Sequence, residues 1–295
     1  MKQKQLNIEV NASIKRLELG LKNLVRTRRA GFYPSLFKGK GLEFDGFTQY
    51  NYGDDASLID WKASMRTGDL LCKRFREERD LKILFVVDVS SKMLFGSSEK
   101  LKCEYVAELA AALAYVILRG GDRVGFVFFS DKIKKYVMPR SGLVSFHRFL
   151  SELKDPELYG GKSNLKRVLR DLGLFLSRDH IPIIISDFLG PINWSKQMRV
   201  LSEKVETIAF KVQDPRDFQL PSGVKEVVIS DPNTGKTLLV DVDLVKAKYE
   251  RYAAKHREVI NKIFRASGID CLEISTDKHF VNKVVAFFER RKGWK

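Results

Sequence analysis

Apolar residues fall in two rhythms along this chain. Short unbroken runs end abruptly in polar residues: Ile83-Leu84-Phe85-Val86-Val87 stops at Asp88, followed by Val89-Ser90-Ser91-Lys92, and Ile181-Pro182-Ile183-Ile184-Ile185 stops at Ser186-Asp187. Runs of this length, rich in β-branched and aromatic residues, are the pattern of strands buried on both faces. Between them the apolar spacing turns helical. The pattern predicts strands over 81–88, 123–129, 133–138, 181–186, 205–212 and 271–274, and helices over 100–119, 143–153, 165–176, 195–202, 242–266 and 280–290. Ser130-Asp131 is too short a link for anything but an antiparallel pair, and Asp231-Pro232-Asn233-Thr234-Gly235 predicts a hairpin between 224–229 and 236–240. Alternating strands and helices give an α/β fold, a mainly parallel sheet with helices on both faces and one antiparallel edge strand.

The first 80 residues read differently, as an amino-terminal helix and an ordered loop/β extension ahead of a sheet domain over 81–295. From Leu6 to Arg29, apolar positions at Ile8, Ile14, Leu17, Leu21, Leu24 and Val25 have helical spacing with basic residues between them. Gly31 to Gly41 is a link. The following stretch to Asp55 is dense in aromatics, acids and glycines without a regular period, which predicts an ordered loop. Leu70 to Phe75 alternates and predicts an edge strand or hairpin arm. Asp54, Asp55 and Asp60 are expected to cap turns and pair with Lys62, Arg66 or Arg74, and Trp61 and the nearby aromatics to be buried by packing.

Charge changes the list of partners rather than the fold. The 295 residues carry a formal charge of +16, which attracts acidic partners such as nucleic acid or an anionic surface, while 44% hydrophobic residues are enough for a core. Three scattered cysteines, Cys72, Cys103 and Cys271, argue for a reducing compartment and against disulfides or a zinc site. No signal peptide is evident at the amino terminus, and Val106 to Leu118 is interrupted by Glu108 and too short for a bilayer. These features predict a cytoplasmic protein, with a peripheral place at the inner membrane left open.

Candidate chemistry sits at the two strand ends. In open α/β sheets the binding crevice lies at the carboxyl ends of strands, and adjacent strands here would bring Asp88 and Asp187 together. An acid at the first position of the loop and hydroxyls beyond it suit a hard divalent cation. Ser90 and Ser163 are candidate hydroxyl ligands, and Lys92 falls where another would be expected. Tyr159-Gly160-Gly161-Lys162-Ser163-Asn164 imitates the end of a phosphate-binding loop, but Pro156 replaces the required first glycine and the preceding segment is helical. No GxSxG elbow is present and no histidine is placed to activate Ser90.

Taken together, Gly41-Leu42-Glu43-Phe44-Asp45, Tyr52-Gly53-Asp54-Asp55, Ile59-Asp60-Trp61-Lys62-Ala63-Ser64, Thr67-Gly68, the Asp88 loop, Gly125-Phe126, Phe129-Ser130-Asp131 and Ser186-Asp187-Phe188 resemble the bacterial domain-of-unknown-function family 58. Its core resembles a von Willebrand factor A domain with a metal-ion-dependent adhesion site. The resemblance implies a metal set of Asp88, Ser90, Ser163 where the family usually has threonine, and Asp187, with a serine at the position of Lys92. An ammonium cannot ligate a cation. Two unit charges about 4 Å apart repel by roughly 4 kcal/mol at an effective dielectric of about 20. Two outcomes stay open: Lys92 replaces the metal between Asp88 and Asp187, or it swings into solvent and leaves an impaired site for weakly bound Mg2+ or Mn2+. The resemblance further implies a non-enzymatic interaction module, an adaptor for a MoxR-type AAA+ ATPase and its client proteins, with Lys92, Asp88 and Asp187 as contact residues. The alternative is a nucleic-acid-binding protein that uses the basic extension and the 242–266 helix.

Overall fold

The computed structural model describes residues 6–25, 43–52, 54–76, 82–231 and 234–293. In chain order these form α1 (Val10–Val25), β1 (Glu43–Gln49), α2 (Trp61–Thr67), β2 (Leu71–Arg76), β3 (Lys82–Asp88), α3 (Lys102–Arg119), β4 (Arg123–Phe129), β5 (Ile133–Arg140), α4 (Leu143–Lys154), α5 (Leu165–Phe175), β6 (His180–Ser186), α6 (Ser195–Lys204), β7 (Ile208–Gln213), β8 (Glu226–Ser230), β9 (Thr237–Asp241), α7 (Val242–Ala266), β10 (Asp270–Ser275) and α8 (Val281–Gly293). The expected continuation of the first helix to Arg29, the link from Gly31 to Gly41, the charged run from Glu77 to Asp80, and the turn residues Pro232 and Asn233 lie outside the described residues.

Two units divide the chain, Met1–Leu36 with Lys82–Lys295, and Phe37–Leu81. The expected grouping of residues 1–80 is therefore redrawn. Helix α1 goes with the sheet because its apolar stripe is buried there: Val10, Ile14 and Leu17 are buried, Leu17 completely. The segment before α1 also completes two carboxylates on α3. Asn7 N donates to Glu104 Oε1 at 2.7 Å and Glu9 N to Glu108 Oε1 at 2.7 Å, which explains how an otherwise apolar, enclosed helix tolerates both acids.

In the larger unit the six-stranded sheet runs β10-β7-β6-β3-β4-β5. All neighbours are parallel except β4 and β5. From β3 the chain winds outward through β4 and β5, then returns to β6 on the other side, so the winding reverses between β3 and β6. At such a reversal the loops part and leave a crevice. One face carries Leu84, Val86, Val127, Phe129, Ile184 and Ala209 against α5, α6 and α7. The other stacks Phe126 on Phe149 of α4, ring centroids 3.7 Å apart, and sets Phe210 edge-on to Phe287 of α8. Antiparallel β5 crosses β4 closely at Gly125, where a Cβ would lie 2.7 Å from Val137 O, so only glycine fits the irregularity there.

The smaller unit corrects two expectations. Residues 43–49 are strand, not loop: β1 pairs antiparallel with β2, and a register shift at Gly46 (φ 141°) breaks the period that marks a strand in sequence. Trp61 is 64% exposed and Tyr52 fully so, against the expected burial. A unit this small encloses too little volume to cover an indole. The acids do cap: Asp54 accepts from Asn51 N, Asp55 from Ser57 N and Asp60 from Ala63 N. The lysine paired with Asp60 is Lys73, at 3.4 Å.

Docking of α1 is tested by two neighbouring leucines. Leu17→Ala, at a fully buried site, is expected to cost about 2–5 kcal/mol in urea unfolding, whereas Leu19→Ala, at a 63% exposed site, changes it by less than about 0.5 kcal/mol.

Candidate functional site

The Asp88 loop is shaped by what its backbone must satisfy after β3 ends. Val89 N donates to Phe129 O at 2.8 Å and so carries the pairing with β4 one residue further. The Gly160-Gly161 corner, both residues at positive φ, clamps the loop from above. Gly160 N donates to Val89 O at 2.7 Å, and Ser91 N donates to Gly161 O at 2.9 Å. The glycines that imitate a phosphate loop thus hold this loop instead. A 3-10 turn over Ser91–Leu94, closed by Met93 N to Ser90 O, then directs Lys92 back across the strand ends.

Asp187 follows β6 and is set by a strained turn. Phe188 has φ 54°, a left-handed conformation that costs a bulky residue about 1–3 kcal/mol and persists only where packing holds it. Its ring is buried between Trp194 and Phe264, 5.8 and 5.1 Å centroid to centroid. That turn lets Leu189 N donate to Asp187 Oδ1 at 3.0 Å and aims Leu189 O at the Asp88 loop.

Asp88 and Asp187 meet on a lysine. Lys92 Nζ lies 2.6 Å from Asp187 Oδ1, 3.2 Å from Asp88 Oδ2 and 3.3 Å from Leu189 O. Asp88 Oδ1 also accepts Ser90 Oγ at 2.6 Å and Ser90 N at 3.0 Å, and its Oδ2 accepts Ser186 Oγ at 2.6 Å. A second lysine, Lys102 at the start of α3, donates to Asp187 Oδ2 at 2.8 Å and to Asp217 at 3.1 and 3.3 Å. Asp217 in turn accepts Asp214 N at 2.8 Å, and Asp214 is held by Ser97 and Thr276.

Of the sequence candidates, Asp88, Ser90, Lys92 and Asp187 are brought together. The loop that carries Ser163 borders them through Gly161 O, and among the described residues the Ser163 hydroxyl makes no hydrogen bond to the cluster. Asp88 and Asp187 lie beneath the surface at 1% and 0% exposure, while the Lys92 side chain keeps 15%. Lys102, Ser186, Asp214 and Asp217 join the cluster without standing out in the sequence as site residues. Lys102 had one visible signal, a basic residue opening a helix that is apolar almost throughout, since lysine is fully buried only when paired.

The charges settle each other. Burial alone would raise the Asp187 carboxyl, but the ammoniums of Lys92 and Lys102 more than reverse this and hold it well below the usual carboxylate range. Burial disfavours both ammoniums, yet the carboxylates around them keep them charged above the ordinary lysine range. Asp217 goes the other way: burial, with Asp187 adding to it, raises its carboxyl against the pull of Lys102. This donor set does not fit a divalent cation. Every oxygen of Asp88 and Asp187 already accepts a hydrogen bond, and two positive groups stand where the cation would be. Beside the cluster a cleft of about 800 Å3 opens, walled in part by Leu189, Asp217, Phe218, Tyr249 and Tyr252.

Two measurements test this arrangement. Lys92→Met keeps the stem and leaves Asp88 buried without a counter-charge and Asp187 with Lys102 alone. It is expected to cost about 3–5 kcal/mol in urea unfolding at neutral pH, while the exposed control Lys262→Met changes stability by less than about 0.5 kcal/mol. Because the folded value of Asp187 is depressed, its contribution is present above the unfolded carboxyl value near pH 4 and is lost as pH falls towards the folded one. The acid limb of the stability profile below about pH 4 is therefore expected to be shallower in Asp187→Asn.

Comparisons place the chain among known sequences. The profile described as "Protein of unknown function DUF58" matches residues 47–259. "Uncharacterized protein Mb1516" of Mycobacterium bovis is 30% identical over 286 residues, 96% of this chain and 90% of that protein. "Uncharacterized protein MAV169" of Mycobacterium avium is 36% identical over 118 residues, 39% of this chain and 69% of that protein. Among solved structures, a conserved hypothetical protein BatB from Bacteroides thetaiotaomicron aligns at a TM-score of 0.48 and 14% identity, over 72% of this chain and 98% of that one. With a profile covering most of its length and a relative matched nearly end to end, this chain belongs to the DUF58 family.

Proposed function

We propose that this chain is a non-enzymatic protein-interaction module, acting in the cytoplasm as an adaptor for a MoxR-type AAA+ ATPase and its client proteins. Fold alone does not carry function. The observation that supports this reading is the state of the site: at the sheet's switch point, where a catalyst would need a free base, nucleophile or Lewis acid, all four oxygens of Asp88 and Asp187 already accept hydrogen bonds and both lysines are held by carboxylates. Ser90 donates its proton to Asp88 without a histidine to relay it. Burial pushes the Cys103 and Cys271 thiols up to about 12, which leaves neither as a nucleophile at neutral pH.

What remains accessible is a surface. The Lys92 side chain keeps 15% exposure, and the cleft beside the cluster presents Tyr252, 69% exposed, on α7. Aromatic side chains beside a cleft are common anchors of protein contacts. Among the described residues no helix is long and apolar enough to cross a membrane.

Nucleic-acid binding is the second reading, favoured by exposed Trp61 and Tyr52 on a chain of charge +16. Affinity capture from native lysate separates the two, using the unmodified chain and Tyr252→Ala. The adaptor reading predicts an AAA+ ATPase retained by the unmodified chain and lost from the variant. Absence of any ATPase, with RNA or DNA retained and released steeply by salt, contradicts it.

A further inference from the structure

We infer that the cation of this site is built into the chain: the ammonium groups of Lys92 and Lys102 together take the place of a divalent ion, so the site operates without magnesium or manganese and without a carboxylate from the partner. The inference rests on the interaction reading above and specifies how that surface is charged.

The donor and acceptor counts match. An ammonium has three protons. Lys92 donates to Asp187 Oδ1 and Leu189 O and forms an ion pair with Asp88 Oδ2 at 3.2 Å. Lys102 likewise finds Asp187 Oδ2 and both oxygens of Asp217. Each ammonium is thus enclosed by acceptors of its own chain. In a metal-dependent site, coordination positions not filled by the protein are open to water or a partner's oxygen. Here the corresponding positions are filled from within, by the Leu189 carbonyl on one lysine and Asp217 on the other.

Sharing matters as much as occupancy. The two lysines hold different oxygens of one carboxylate, Asp187 Oδ1 and Oδ2. Removing Lys92 alone frees one oxygen but leaves a positive charge on the other. The tether also changes the response to solution conditions. A bound ion leaves when its concentration falls, whereas a lysine fixed in the chain stays at constant effective concentration. Contacts through this surface are thus constitutive with respect to divalent ions and chelators.

Mn2+ binding to the EDTA-stripped full chain tests this, followed by electron paramagnetic resonance and by Tm. The unmodified chain is expected to bind no Mn2+ through the millimolar range, with Tm unmoved by EDTA or Mn2+. Relief of even one repulsion between unit charges at about 4 Å is worth roughly a thousandfold in affinity, and a divalent ion feels more, so Lys92→Ser/Lys102→Gln is expected to bind Mn2+ saturably and to gain Tm on doing so. Saturable one-to-one binding by the unmodified chain, abolished in Asp187→Asn, would overturn the inference. So would a folded double variant that takes up no Mn2+. The unmodified-chain arm decides the matter even where the double variant does not fold. Partner capture is read separately: its failure with these cation results unchanged removes the interaction reading alone.

Discussion

Two carboxylates at the ends of adjacent buried strands cannot both stay ionised unless something positive lies between them, and that constraint organises this protein. Asp88 and Asp187 are brought together by the parallel pairing of β3 with β6. The chain answers with Lys92, four residues past Asp88, and with Lys102 from the start of the next helix. The remaining features follow from holding those ammoniums in place: the glycine clamp on the Asp88 loop, the 3-10 turn, and the left-handed Phe188 wedged between Trp194 and Phe264.

Such a network adds little net stability compared with an apolar core, because taking the charges out of water costs about as much as their attraction returns. Its value lies in geometry. Each carboxylate oxygen has defined donors, so the loops at the switch point have one arrangement and the cleft beside them is preformed. A preformed surface of this kind suits contact with another protein. The overall positive charge then acts at longer range, on the rate and choice of encounters.

Much of this was legible in the residues. Unbroken apolar runs gave β3 and β6 within a residue or two, α7 has the expected limits, and the convergence of Asp88 with Asp187 followed from strand ends alone. What was not legible depended on contacts distant in sequence or on interrupted periods. Lys102 and Asp217 are 115 residues apart and show no shared pattern. β1 is hidden by the irregularity at Gly46, and the membership of α1 in the larger unit depends on Glu104 and Glu108, nearly 100 residues away. The backbone contacts of Gly160 and Gly161 with the Asp88 loop were likewise hidden behind an imitation of a phosphate loop.

What lies between Asp88 and Asp187 decides the nature of this site. Anomalous diffraction at the manganese edge, from crystals of the unmodified chain grown with millimolar Mn2+, observes that position directly. The account predicts continuous density from the Lys92 stem to Asp187 and no anomalous peak between the two carboxylates. An anomalous peak there, with Lys92 turned away into solvent, would contradict it.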